Sequence, residues 1–373
     1  MNDHTPAGPS QLSTYPMQPT ASVTIEPEVP LRVRGKRSKN YWEPIFDPTK
    51  APPVGIHDWD VSGKTSIEDL LCRSQELEAR MRKRSQTRWP VASFTFRNCD
   101  FEGNFFNIIF KNCTFVGCDF GSCNWKNAKF SNCSFKKCSL SVCTFEQSQF
   151  IGCAWDCIGI SGTETKFFDT TLSNPLDFIA AAWTNLEPGI LAQNNKDAPY
   201  QSMRLEETKT KVARLILSNN ERSSDDSTYY KSVEAYLRQI VGSKLSNCKY
   251  NIKNKTKLWS NIPALPIFYA ESIFLRISGA VNNWGASVAR PALVGFFIGV
   301  VFTAWYHFFG ITPSFKIAAM KSFDVTLLFG YTKHATSSIC FFEQISYAAN
   351  AFLGLWWYAI FVPTIINRIS RVR

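Results

Sequence analysis

Residues 110–155 read FKNCTFVGCDFGSCNWKNAKFSNCSFKKCSLSVCTFEQSQFIGCAW. A large apolar side chain returns every five residues, through Phe110, Phe115, Phe120, Trp125, Phe130, Phe135, Leu140, Phe145, Phe150, Trp155 and Ile160. Two residues before most of them stands a small one: Cys113, Cys118, Cys123, Ala128, Cys133, Cys138, Cys143, Ser148 and Cys153. Phe96, Phe101 and Phe105 carry the series backward, with one four-residue step. A fixed period marks a repeat architecture. Five fits neither the 3.6 of a helix nor the 2 of a plain strand. It does fit a short strand followed by a corner: in Cys113-Thr114-Phe115 the first and third side chains share a face. Asn98, Asn112, Gly117, Ser122, Asn127, Asn132 and Gly152 then supply residue types that tolerate a corner. Such a chain winds around itself, and its coils stack about 4.8 Å apart.

This block resembles a run of pentapeptide repeats. The resemblance implies a right-handed four-sided β-helix with four repeats to the coil. About fourteen repeats would then give roughly three and a half coils, on the order of 17 Å tall at the sheet spacing. The ends of so short a stack need caps.

Cys113, Cys133 and Cys153 recur every twenty residues and fall on one inner face. A zinc site wants clustered N and S ligands, whereas this block has no His and spreads its thiols over different walls. Parallel Cβ atoms about 4.8 Å apart also exceed the usual disulfide separation of about 3.8 Å. The thiols therefore read as small buried hydrophobes in a reducing compartment. No metal or cofactor is expected.

The chain has 373 residues, with 41 Lys and Arg against 30 Asp and Glu. The repeats are nearly balanced, and the basic excess lies in the flanks, at 32–39, 80–88, 249–257 and the C-terminus. Basic runs beside apolar segments point to a membrane surface rather than nucleic acid. Residues 1–40, rich in Pro, Ser and Thr, read as a disordered tail. No apolar h-region follows Met1, so no secretory signal is expected. Residues 41–90 read as an N-terminal segment, with Trp42 and Trp59 in its irregular part and then a capping helix. For that helix Thr65 and Glu68 suggest a capping box, and Ile67, Leu70, Leu71, Leu77 and Met81 follow at helical spacing to about Gln86. The β-helix is expected over 91–172, a helical linker with an α-hairpin broken at 219–227 over 173–262, and a membrane domain over 263–373.

Two uncharged runs, about 291–311 and 345–366, are long enough to span a bilayer. Residues 264–281 are apolar but interrupted by Glu271 and Arg276, and read as an interfacial helix. Lys and Arg flank the spans on the repeat side, which puts both termini in the cytoplasm. His307 and Asn350 fall at similar depth, suggesting a hydrogen bond between spans or a solute pathway. Gly295 and Gly299 form a G-x-x-x-G face for helix packing. Residues 317–331 are too apolar for an exterior loop and suggest a re-entrant segment, which needs protein or water to satisfy its backbone.

The C-terminal half is similar to bacterial pentapeptide-repeat proteins that end in a two-span, ion-channel-like region. The matching residues are Trp284-Gly285-Ala286-Ser287 before Arg290-Pro291, and 354–371 at the close. That resemblance implies a bacterial inner membrane and a candidate pore loop at Leu328, Phe329, Gly330, Tyr331 and Thr332. The loop lacks the first and last parts of a T-V-G-Y-G potassium filter, so potassium selectivity is not implied. The expected function is a membrane-anchored scaffold, or the regulator of an oligomeric channel-like region. Its partners would be membrane lipids, further copies joined through the spans, and a cytoplasmic protein on the β-helix. The alternative is a topoisomerase-inhibiting DNA mimic, which needs a strongly acidic face that these balanced repeats lack. An enzyme is not expected: His residues 4, 57, 307 and 334 show no triad or zinc spacing, and no P-loop or G-x-G-x-x-G occurs.

Overall fold

The computed structural model describes residues 63–160, 165–183, 198–223, 226–255, 258–309, 311–329, 334 and 340–371. The tail at 1–40, Trp42, Trp59, and Gly330, Tyr331 and Thr332 of the candidate pore loop lie outside the described residues.

Three-residue strands stack in parallel into four walls, making a β-solenoid of about four turns. Residues 66–68, 95–97, 114–116, 134–136 and 154–156 form the first wall, five strands deep. The second wall joins 71–73, 100–102, 158–159 and 182–183 through bridges at Asp119 and Ser139. The third holds 104–106, 124–126, 144–146 and 166–168, and the fourth 89–92, 108–111, 129–131, 149–151 and 171–172. Register makes the coil length visible. Phe130 pairs with Phe110 below and Phe150 above, twenty residues each way. The four-residue step after Phe101 shortens one coil, so Phe96 pairs with Phe115. Two added residues lengthen the last, so Phe145 pairs with Phe167.

Corners follow from backbone sterics. Asn98, Asn112, Ser122, Asn127 and Asn132 have φ between 49° and 56°, and Gly117 and Gly152 have φ 63°. Asn and Gly reach this left-handed region at least cost. Val142 occupies the same kind of corner at φ 60°, where a β-branched side chain is strained.

Inside, aromatic rings stack from coil to coil. Phe130 lies 5.1 Å from Phe110 and 4.7 Å from Phe150, nearly parallel to both. Within a coil, neighbouring walls meet edge to face, as Phe110 does Phe115 at 5.2 Å. Offset-stacked and edge-to-face pairs each add about 0.5–1.5 kcal/mol beyond area burial. The thiols fill the remaining inner positions. Cys118 Sγ lies 3.4 Å from the Phe96 carbonyl oxygen and Cys138 Sγ 3.5 Å from that of Phe115. Burial first, then the Cys138 thiol, pushes the Cys118 thiol well up. No disulfide joins the twelve cysteines, and no metal-holding cluster of three or more His, Cys, Asp or Glu occurs among the described residues.

The solenoid starts earlier than its periodicity suggests. Ser66–Glu68 and Leu71–Arg73 are strands, and helix α1 is Ser74–Lys83. The expected helix from Thr65 is therefore corrected to a first coil followed by an inserted helix. Ile67, Cys72 and Leu77 are all buried and five apart, so the repeat spacing outcompeted the helical one up to Arg73. Helix α1 takes the place of a third-wall strand in that coil, and its Ser74 hydroxyl accepts the Asn104 N–H at 2.9 Å.

Helix α2 (Pro175–Ala181) closes the other end, its Phe178 ring 4.9 Å from Trp155 and 5.9 Å from Phe167. Helices α3 (Ala198–Ser223) and α4 (Asp226–Lys253) form a hairpin against it. Among the described residues no strand lies above Lys166–Phe168 and Thr171–Leu172, and side chains take that place. Asn220 Nδ2 donates to the Leu172 carbonyl at 3.2 Å and Asn220 Oδ1 accepts the Leu172 N–H at 3.3 Å. Asn219 does the same one wall earlier, donating to Phe167 O at 2.8 Å and accepting from Thr170 N at 3.4 Å. Two adjacent amides thus imitate one more strand of the stack.

Four helices follow: α5 (Leu258–Asn282), α6 (Ala289–Phe308), α7 (Phe315–Thr326) and α8 (Phe341–Arg371). Three stretches are long and apolar enough to cross a membrane: Trp259–Gly285, Ala289–Phe308 and Phe341–Ser370. Hydropathy and charge along the sequence predict two. The added one, centred on α5, qualifies because Glu271 and Arg276 are the only charges from Leu258 to Asn282.

Candidate functional site

Helices α6, α7 and α8 pack at glycines. A Cβ on Gly295 would overlap the indole of Trp357, and one on Gly299 would come within 2.7 Å of Phe323 Cε1. A Cβ on Gly354 would overlap the carbonyl oxygen of Thr326. Each contact brings a different helix pair together, so the G-x-x-x-G face of α6 meets α8 at one glycine and α7 at the other. Trp357 Nε1 also donates to the Pro291 carbonyl at 2.5 Å, which fixes the indole in the groove. The outward faces are apolar and exposed, among them Leu293, Phe297, Phe308, Met320, Phe352 and Ile366. That inversion of a soluble fold is what a hydrocarbon solvent requires.

At the centre sits Asn350, fully buried. Its Nδ2 donates to Tyr306 Oη at 2.9 Å and to the Ser322 carbonyl at 3.2 Å. The Thr326 hydroxyl lies 2.8 Å from Asn350 Oδ1 and also 2.8 Å from the Ser322 carbonyl, so one proton serves two acceptors. Ser322 Oγ donates to the Gly299 carbonyl at 2.7 Å. One amide therefore ties α6, α7 and α8 together at a single level.

The pairing of His307 with Asn350 does not form. His307 lies beside Phe308 and Phe315, its ring centroid 5.6 and 5.8 Å from theirs. One residue is about 100° of helical rotation, which carries Tyr306 rather than His307 to the α8 side. The residues that sequence reading missed are Tyr306, Ser322 and Thr326. Ser322 and Thr326 are four apart in an apolar run, and that spacing on one helix face was the available signal.

Helix α7 is short. Its 12 residues rise about 18 Å, against roughly 30 Å of hydrocarbon. Its last residue meets Asn350 and Gly354, 9 and 13 residues into α8 from Phe341, or about 14 and 20 Å along that helix. Leu328 then takes a left-handed turn with φ 62°, and Phe329 is exposed. These are the described members of the candidate pore loop.

A joint links this bundle to the solenoid. Asn283, Trp284 and Gly285, between α5 and α6, have φ 51°, 59° and 102°. Three consecutive left-handed residues, two of them not glycine, are costly unless packing imposes them. The packing is visible: the Arg238 guanidinium sits 5.3 Å over the Trp284 ring, and a Cβ on Gly285 would come within 2.8 Å of Tyr230. Arg368 near the end of α8 pairs with Asp226 at the start of α4 at 3.0 Å. Outer walls of the solenoid carry both signs of charge, as in Arg97–Glu68, Arg73–Glu102 and Lys126–Glu146.

Solenoid, capping hairpin and apolar helices together define a membrane-associated β-solenoid protein. Residues 108–150 match the family model described as Pentapeptide repeats, in eight copies, so this block is a pentapeptide-repeat domain. A search of curated proteins finds no match to the chain.

Proposed function

We propose that the chain is one subunit of an oligomeric, channel-like membrane assembly whose cytoplasmic pentapeptide-repeat solenoid docks a protein partner and biases the assembly's state. The observation that carries this reading is α7, a half-length helix whose C-terminal end is held against Asn350 and Gly354 well inside the length of α8. Helix ends inside hydrocarbon are tolerated where they line a water-filled cavity. Copies assembled around an axis would provide such a cavity, with Leu328 and Phe329 at its wall. The helix C-terminus would present its negative dipole end there, which favours a cation.

Orientation draws on separate features. Twelve cysteines without a disulfide suit a reducing cytoplasm. The Arg368–Asp226 pair keeps the end of α8 beside the capping hairpin, which supports two crossings, by α6 and α8, between them. The joint at Trp284 offers a physical link from a partner bound on the solenoid to the first residues of α6. Phe106, Ile151 and Phe168 are large apolar side chains exposed on the third and fourth walls and suit a protein partner.

Planar bilayer recording with the purified full-length protein tests the pore half. Conductance that Asn350→Leu changes supports it; silence across ions and voltages, from protein shown to be oligomeric in the same lipid, removes it. A DNA-mimic role gains nothing from the mixed charge of the walls.

A further inference from the structure

The joint around Trp284 borders a cavity of about 440 Å³. The end of α3, the first turns of α4, the joint itself and the last turns of α8 line it. Its depth follows from α8. The apolar stretch Phe341–Ser370 has 30 residues, about 45 Å of helix, which matches a bilayer counted through both headgroup layers. The lining residues of α8 run from Ala359 to Ser370, the last 16 Å or so of that stretch, so the cavity opens at headgroup level.

Its walls are short of donors. Asn282 Nδ2 is spent on Thr364 Oγ1 at 3.1 Å, and Asn282 Oδ1 is buried with no donor among the described residues. Pro363 has no N–H to return to the Ala359 carbonyl one turn earlier, and both residues line the cavity. The charged residue of the lining is Glu221, exposed at the mouth and paired with no described cation. Arg368, next to Asn367, is held at 3.0 Å by Asp226 instead. Tyr229 and Tyr230, with ring centroids 5.1 Å apart, and Trp284 supply aromatic faces. The indole already carries one cation, the Arg238 guanidinium at 5.3 Å.

We propose that this cavity binds a primary ammonium group, carried by a phosphatidylethanolamine head or by a free amine. A carboxylate, acceptors that lack donors and aromatic faces together favour a cation. The buried acceptors ask for N–H groups, which a primary ammonium supplies three at a time and a choline head does not supply at all. An anionic glycerol head would meet Glu221 with no lysine or arginine in the lining to hold its phosphate. The phosphate of an ethanolamine head stays at the mouth, beside the Asn367 amide. A bound ammonium would tie the end of α3 and the joint to the end of α8, bracing the left-handed turn at Trp284. The site needs α8 to cross the bilayer but needs no conduction, so it stands or falls apart from the pore reading.

The test uses the delipidated full chain in detergent, titrated with phosphatidylethanolamine, phosphatidylcholine or phosphatidylglycerol of the same acyl chains. A second arm adds phosphoethanolamine or putrescine, which carry the amine without a lipid tail. Peptide-resolved hydrogen exchange at 229–233 and 282–285 is the readout, with peptides around Gly299 as the control for general lipid effects. The proposal predicts that phosphatidylethanolamine protects both joint peptides and leaves the control unchanged, while the other two lipids do not protect. Protection by the soluble amines as well assigns the site to free amines; protection by the lipid alone assigns it to the headgroup. Glu221→Gln, a change at an exposed position, should weaken the apparent affinity about fivefold. Its thermal unfolding without ligand reports that the variant is folded. Equal protection by all three lipids, no protection by any amine, or an unaltered titration of folded Glu221→Gln would overturn the proposal.

Discussion

Asn220→Leu isolates the device that closes the solenoid. The substitution keeps the side-chain volume and removes the amide. Ser232 Oγ, which the amide reaches at 2.7 Å, still donates to the Thr228 carbonyl at 2.9 Å. The Leu172 N–H and C=O, however, lose the partners that stand 3.3 and 3.2 Å away. Leaving a buried backbone group unsatisfied costs about 1–3 kcal/mol, so two cost about 2–6 kcal/mol. Relaxation of the terminal coil toward water limits this to the lower half, about 3 kcal/mol. At roughly 1.4 kcal/mol per decade, hydrogen exchange at Leu172 should accelerate about 100-fold. The assay is peptide-resolved exchange of the full chain in detergent. Peptides around Phe115, three coils away, serve as the internal control and should not change. Unaltered protection at Leu172, or equal loss at both ends, would refute the claim that the amide stands in for a missing strand.

Gly354→Leu should cost at least about 1–3 kcal/mol, because its Cβ meets a backbone carbonyl that cannot rotate aside; thermal unfolding of the purified chain in detergent would show it. Val142→Asn should stabilise the repeat block by about 1 kcal/mol, since Asn accepts φ 60° with less strain, and chemical unfolding followed by circular dichroism would read it. The Cys157 thiol is pushed up to about 11 from its ordinary 9.0, by burial first and then by the Asp156 charge. A raised thiol pKa favours the protonated folded form, so its stabilising contribution is full below pH 9.0 and is lost as pH rises through about 11. At pH 8 maleimide should accordingly modify Cys157 roughly 100-fold more slowly in folded than in unfolded chain, measured by mass spectrometry.

The solenoid was legible because its period is imposed by geometry: five residues per wall leave a mark on every inner position from Phe110 to Ile160. The first coil was not, because Ile67, Leu70, Leu71 and Leu77 satisfy a helical spacing as well as Ile67, Cys72 and Leu77 satisfy a five-residue one. Only stacking on Phe96, which pairs with Ile67, separates the two. The capping role of Asn219 and Asn220 was hidden for a related reason. Polar residues at that point looked like a helix break, whereas they remain helical and spend their amides on the last coil. In the membrane part, hydropathy located the long helices but said nothing about rotation. Asn350 was visible as a polar group needing a partner, and its partner was one residue from the one expected. Glu271 and Arg276 set α5 apart from α6 and α8 in the sequence itself, whereas its packing against the lysine-bearing α4, as in Lys244–Glu271, is a tertiary fact that a window of hydropathy does not contain.

A structure of the full-length chain in lipid nanodiscs bears most directly on the central claim. The account predicts several copies around one axis, α6 and α8 crossing the bilayer, and α7 ending at mid-depth beside Asn350 with Leu328 and Phe329 turned toward the axis. A single copy, or a ring in which α7 lies at the membrane surface away from the axis, would contradict it.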